Sequence, residues 1–175
     1  DLKNSVPSYI WDLEYLAKPS ESAGQLYGEF SLDRNVLDMT GRMKEAKSFF
    51  RFIDWGLAHP TVCLYACIIE KTLFIYDEYT RNGLTIASHC DAIKSRGGAR
   101  SFDWSVIDPS AFRRDPITKQ SIIGEFSKNG VFCIPGDNTD RGIDILKMFL
   151  ERGIVKIHPK CRSLLYGLEN VQYGE

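Results

Sequence analysis

Residues 48–79 read SFFRFIDWGLAHPTVCLYACIIEKTLFIYDEY, three apolar β-forming runs separated by two turns. The first run, 48–53, is rich in Phe and Ile and stops at Asp54-Trp55-Gly56. The second, 61–69, is almost wholly apolar, the pattern of a strand buried on both faces. Glu70-Lys71 leaves room only for a tight turn, so 72–79 folds back as a third strand. Strands joined this closely pair antiparallel.

Downstream the pattern changes. Leu84, Ile86, Ala87, Cys90, Ala92 and Ile93 repeat at helical spacing over 84–95, and Gly97-Gly98 ends that helix. A fourth strand, 104–107, stops at Asp108-Pro109. A helix over 121–128 runs into Asn129-Gly130, and a fifth strand covers 131–134. Residues 140–152 form a helix with Ile143, Leu146, Met148, Phe149 and Leu150 inward and Gly153 past its end. A short strand, 154–157, and a helix over 160–170 finish the chain. Strands reached through helical crossovers lie parallel. The expected architecture is therefore α/β: a mixed central sheet, an antiparallel three-strand meander plus parallel strands, with helices on both faces. Residues 1–45 read as a linker or the tail of a preceding domain, with a short helix near 8–16 capped by Ser8, and 46–175 as the domain proper.

Hydrophobic residues make up 43% of the 175, enough for a packed core and too many for a disordered chain. The longest apolar stretch ends at Glu70-Lys71, far short of a bilayer span, and Asp1-Leu2-Lys3-Asn4 does not resemble a signal peptide. Five cysteines with no CxxC spacing read as reduced core residues. Without G-x-S-x-G there is no α/β-hydrolase elbow, and without G-x-x-x-x-G-K-[ST] no ATP-hydrolysing loop. The net charge of −1 gives no basic signature for nucleic acid as a whole. Its distribution does: from Arg81 to Gly130 there are eight Lys or Arg against five Asp or Glu. Arg96, Arg100, Arg113, Arg114 and Lys119 are the candidate DNA contacts, the alternative being a solvated basic face.

Asp54 and Asp108 are the candidate catalytic pair. Each follows an apolar strand and precedes a chain-turning residue, Gly56 or Pro109. In the expected topology their strands lie side by side in parallel, with the carboxyl ends adjacent, where sites in such sheets form. Two carboxylates there repel unless a cation holds them, and Mg²⁺ takes such oxygens together with water and phosphate. An Asp at a strand end can equally be turn punctuation. Asp77 and Glu78 point to opposite faces of the third strand, and one of them could supply a further carboxylate. His59 follows the Asp54 turn, His89 falls on a helix and His158 precedes a proline; none shows an evident partner.

Several segments together resemble the nuclease domain of the tailed-phage terminase large subunit. Phe52-Ile53-Asp54-Trp55-Gly56 with His59-Pro60-Thr61 looks like that family's first nuclease strand. Ile75-Tyr76-Asp77-Glu78-Tyr79 looks like its third, and Val106-Ile107-Asp108-Pro109-Ser110-Ala111 like the segment with its second metal-binding carboxylate. Gly142-Ile143 and the run 161–169 also fit, so the likeness covers most of the chain from Phe49 on. It implies a ribonuclease H-like fold and a Mg²⁺- or Mn²⁺-dependent, two-metal endonuclease that cuts concatemeric double-stranded DNA during genome packaging. Asp54 and Asp108 match the ligands, and the family's third falls beyond Glu175. The resemblance also implies an ATPase-type domain attached through residues 1–45, portal protein and small terminase subunit as partners, and the host cytoplasm, transiently at the procapsid portal, as the place of action. A non-catalytic nuclease-like module that docks on DNA or portal, or a resolvase or transposase of the same fold, are the alternatives.

Overall fold

The computed structural model describes residues 24–116, 119–137 and 139–172; the helix expected near Ser8 lies outside them. A single helical turn, α1 (Leu32–Asn35), and a 3₁₀ turn (Thr40–Glu45) lead into β1 (Ser48–Asp54), β2 (Thr61–Ile69) and β3 (Thr72–Arg81). Then come α2 (Ile86–Gly97), β4 (Trp104–Ile107), a 3₁₀ turn (Pro109–Phe112) and α3 (Ile122–Lys128). β5 (Ile134–Pro135), α4 (Asp140–Glu151), β6 (Val155–Ile157) and α5 (Arg162–Asn170) complete the order.

The six strands form one sheet in the order β5-β4-β1-β2-β3-β6. β1, β2 and β3 are the antiparallel meander, while β4 pairs parallel with β1, β5 with β4 and β6 with β3. This is the mixed sheet that the run 48–79 and its downstream crossovers predict.

Alternation along the strands feeds two cores. Ile53, Cys63, Tyr65, Cys67, Phe74, Tyr79 and Ile107 face α2 and α3, where Cys90, Ile93 and Phe126 are fully buried. Phe52, Leu64, Ala66 and Ile75 face α4 and α5, meeting Leu150, Leu164 and Leu168. Burying a side chain of this size stabilises the fold by roughly 1.5–3 kcal/mol, so both layers are integral to the domain. All five cysteines are free thiols.

β3 carries one residue more than β2. Ala66 pairs with Ile75 but Tyr65 pairs with Asp77, leaving Tyr76 as a bulge. Tyr76 and Asp77 therefore lie on the same face, and from Glu78 on the strand alternates in the opposite sense.

Most boundaries shift by one or two residues from the sequence reading, and two of the shifts have a local cause. α2 starts at Ile86 because Thr85 caps it, its side chain accepting from the Ser88 amide. β5 is confined to Ile134–Pro135 because the amide of Val131 is spent on Phe126, closing α3 through Gly130 at a φ of 77°.

Residues 24–37, in the stretch that reads as linker, pack along the α4–β6 side of the domain. Leu26 donates to the Val171 carbonyl and Leu37 to that of Ile157. Fully buried Asn35 donates through Nδ2 to Leu150 at 2.9 Å and to Val155 at 3.1 Å.

Candidate active site

Parallel pairing matches Ile53 of β1 with Ile107 of β4. The next residues, Asp54 and Asp108, therefore stand opposite one another on neighbouring strands, which run about 5 Å apart. Both line a cavity of about 210 Å³ whose floor is Phe52, Val62, Leu64 and Val106, on the α4–α5 side of the sheet. Asp54 is exposed. Its carboxyl is raised above the ordinary aspartate value by desolvation first and the Asp108 charge second, with His59 pulling the other way. Asp108 also caps the following 3₁₀ turn, accepting from the Ser110 amide at 2.7 Å. Gly56 holds the bend after Asp54: a Cβ there would lie 2.2 Å from the backbone oxygen of His59. Thr61, fully buried, braces the same bend through its hydroxyl and the Gly56 backbone.

A third carboxylate lines the cavity. Asp137 follows Gly136 just beyond β5, and the Thr139 side chain and amide hold it below the usual aspartate range. The sequence carries the clue, a third Asp past a short strand, but the expected strand 131–134 ends three residues before it. With β5 shortened and shifted, Asp137 falls at the same end of the sheet as Asp54 and Asp108. Hard carboxylate oxygens are the donors that Mg²⁺ and Mn²⁺ prefer, so the donor chemistry fits a divalent cation completed by water and phosphate. Among the described residues no three His, Cys, Asp or Glu side chains converge closely enough to form a metal cage by themselves.

Asp77 and Glu78 do not line this cavity. Asp77 is bound by Arg96 through two hydrogen bonds of 2.8 and 3.1 Å, with Lys160 at 3.5 Å. Glu78 accepts the Ser163 and Leu164 amides at 2.8 and 2.9 Å, capping the start of α5. The basic set also divides. Arg100 stacks on the rings of Phe49 and Tyr76. Phe49 is five residues back along β1 from Asp54, or about 16 Å at the strand rise. Arg113, Arg114 and Lys119 are exposed beyond the turn that Asp108 caps. His89 is buried, hydrogen-bonded to the Tyr79 hydroxyl at 2.8 Å and edge-on to Trp55, and burial depresses its basicity. His158 lies 3.4 Å from Asp38.

No family profile and no curated protein matches the sequence. Solved structures do match. The nuclease domain of the P22 large terminase superposes with a TM-score of 0.66 at 12% identity, covering 84% of this chain and 78% of that one. The chain has the fold of a large-terminase nuclease domain. The SPP1 large-terminase nuclease domain, solved with bound Mn, shares this ribonuclease H-like fold at a TM-score of 0.56 and 13% identity, over 79% of this chain and 75% of that one. The large terminase of a thermophilic bacteriophage, in complex with ADP, matches at a TM-score of 0.75 and 17% identity, over 87% of this chain but only 38% of its own. The chain thus spans a little over a third of the length of that protein.

Proposed function

We propose that this chain is a divalent-metal-dependent endodeoxyribonuclease of the genome-packaging type. One observation carries the reading: Asp54 and Asp108, each next after the last register pair of parallel β1 and β4, share a cleft with Asp137 on a terminase nuclease fold. Bound there, Mg²⁺ or Mn²⁺ would supply an activated water and charge neutralisation at the phosphodiester. Asp54 and Asp108 would hold the cation, which their charges attract and which would relieve their mutual repulsion. Asp137 contributes charge from the third side of the cleft. Gly56 and Thr61 fix the bend that aims Asp54, and the Ser110 amide fixes Asp108.

The substrate in this reading is concatemeric double-stranded DNA. Residues 1–45 join the domain to an ATPase-type domain of the same polypeptide, and portal protein and small subunit are the partners. No helix of the described residues is long and apolar enough to cross a membrane.

The test is nicking of supercoiled plasmid in Mg²⁺ and in Mn²⁺, with calorimetric titration of Mn²⁺ alongside. Asp54→Asn and Asp108→Asn are expected to lose both cleavage and metal binding while remaining folded. Metal-dependent cleavage retained in either variant overturns the assignment, and a folded wild type that binds no Mn²⁺ favours a docking module instead.

A further inference from the structure

β6 pairs with β3 only from Leu73 to Ile75, so the edge of β3 above it, Asp77 to Arg81, is left unpaired among the described residues. A polar pocket of about 220 Å³ lies there, lined by Thr80, Arg81, Arg96, Lys160 and Ser163 together with Glu78. We propose that this pocket is a phosphate subsite: Arg81 and Lys160 hold a backbone phosphate of the DNA strand whose scissile phosphate lies at Asp54 and Asp108. The proposal rests on the nuclease reading above and extends it to a path for the strand.

Three observations support it. The first is register. Asp54 pairs with Val62 and Val62 with Thr80, so the pocket lies level with the acidic cleft, two strands away. At the spacing of neighbouring strands this is roughly 10 Å, the reach of a nucleotide or two. Val62 and Leu64 also line a second, apolar cavity of about 360 Å³ that extends to Ser163, and Ser163 lines the basic pocket in turn. Acidic cleft, apolar floor and basic pocket therefore form one continuous groove. That sequence suits a phosphate at the metal site, a sugar or base over the floor and another phosphate at the end.

The second observation is charge. Three cations, Arg81, Arg96 and Lys160, face two carboxylates. Asp77 is committed to Arg96, and Glu78 to the α5 amides. Arg81 is exposed and makes no ion pair among the described residues. The pocket thus carries one excess positive charge, the complement of one phosphodiester. The third is the Thr80 hydroxyl. It is buried and has no hydrogen-bond partner among the described residues. Buried polar groups in native proteins are almost always partnered, and a phosphate oxygen is the acceptor that rotation about χ1 brings within reach. With Arg113, Arg114 and Lys119 beyond Asp108, the acidic cleft then lies between two basic flanks.

The experiment is fluorescence anisotropy of a labelled duplex, titrated in chelator at several salt concentrations. Each phosphate contact contributes about 0.9 to the slope of log affinity against log salt. Arg81→Ala, which breaks no ion pair, is expected to lower the slope by about 1, and Arg81→Ala with Lys160→Ala by about 2. Lys47→Ala, just before β1 at the opposite end of the sheet, leaves it unchanged. Unchanged slopes in the Arg81 and Lys160 variants overturn the proposal, as does a wild type that binds no DNA. The nuclease reading is scored separately by plasmid nicking. Nicking with an unchanged slope refutes the subsite alone, whereas a lowered slope without nicking supports the subsite and refutes the nuclease.

Discussion

Replacing Asp54 with Asn should make the metal-free protein more stable. In register, Asp54 and Asp108 stand on strands about 5 Å apart. Charges roughly 6 Å apart repel by about 0.7 kcal/mol in water and about 2.8 kcal/mol at the effective dielectric of a protein interior. Asp54 is exposed, so the lower figure governs, and the expected gain is about 1 kcal/mol. In a chain of this size that raises Tm by about 2–4 °C. No hydrogen bond or ion pair holds the Asp54 side chain among the described residues, so nothing offsets the relief. Asp108 is the poorer choice because its carboxylate caps a turn. The pH dependence follows from the direction of the Asp54 shift. Its carboxyl is raised in the folded state, by desolvation and then by Asp108, so the folded protein keeps the proton to higher pH than the unfolded chain does. Stability is lost as pH rises through that raised value and stays lost at neutrality. The advantage of Asp54→Asn is therefore full at pH 7–8 and closes once pH falls below the ordinary carboxylate range. Thermal melts in chelator from pH 3 to 8 measure it, and adding Mn²⁺ should reverse the order by stabilising only the wild type. A neutral-pH Tm that is unchanged or lower in Asp54→Asn, or a gain equally large at pH 3, would refute the reasoning.

Gly56→Ala should destabilise the fold by about 1–3 kcal/mol, the usual cost of overpacking, and weaken Mn²⁺ binding, because its Cβ meets backbone at 2.2 Å; calorimetry showing wild-type affinity would mean that the bend does not aim Asp54. Asn35→Ala should cost about 1–3 kcal/mol in denaturant unfolding by stranding the Val155 carbonyl, whereas that of Leu150 keeps the Arg34 side chain and the Gly153 amide; an unchanged midpoint would mean that residues 24–37 do not support the domain. Burial pushes the thiols of Cys63 and Cys161 up to about 12 and those of Cys67, Cys90 and Cys133 to about 11. A disulfide reagent at pH 8 should therefore label the native protein slowly and all five thiols after denaturation, with half-buried Cys133 leading any native reaction; a fast native phase would contradict the packing.

The sheet was legible because its signals are local and redundant. β2 and β4 begin and end where the residues say, at Thr61, Ile69, Trp104 and Ile107, since each is bounded by a turn or a proline. The meander needs only Glu70-Lys71. That β4 lies beside β1, which places Asp54 against Asp108, is carried by the resemblance to the ribonuclease H-like order of elements rather than by a local signal. Less local features stayed hidden. Val131 looks like a strand residue, but its amide closes a helix, so β5 shifts and Asp137 escapes a reading based on strand ends. The clustering of basic residues in sequence does not survive folding, because Arg96 and Arg100 bind an aspartate and two aromatic rings instead. Asn35 gives no sign in a Ser- and Asp-rich stretch that it will be fully buried. Its partners are 115 and 120 residues away.

The extra residue in β3 bears on how such a strand can change length. Because Tyr76 is unmatched on β2, everything after it alternates one step out of phase with what precedes it. Ironing out the bulge at constant length, so that Tyr76 pairs with Tyr65, would turn Asp77 and Tyr79 toward α5 and drive Glu78 and Thr80 into the layer beneath α2. The α5 cap, the Arg96 pair and the Tyr79–His89 contact would be lost in one event. Losing the bulge residue itself preserves the phase, because each later residue keeps its β2 partner, whereas losing one residue after it does not. A relative with one residue fewer between the Glu70-Lys71 turn and the Glu at position 78 should therefore lack the bulge and keep the same faces, however freely the residue identities drift.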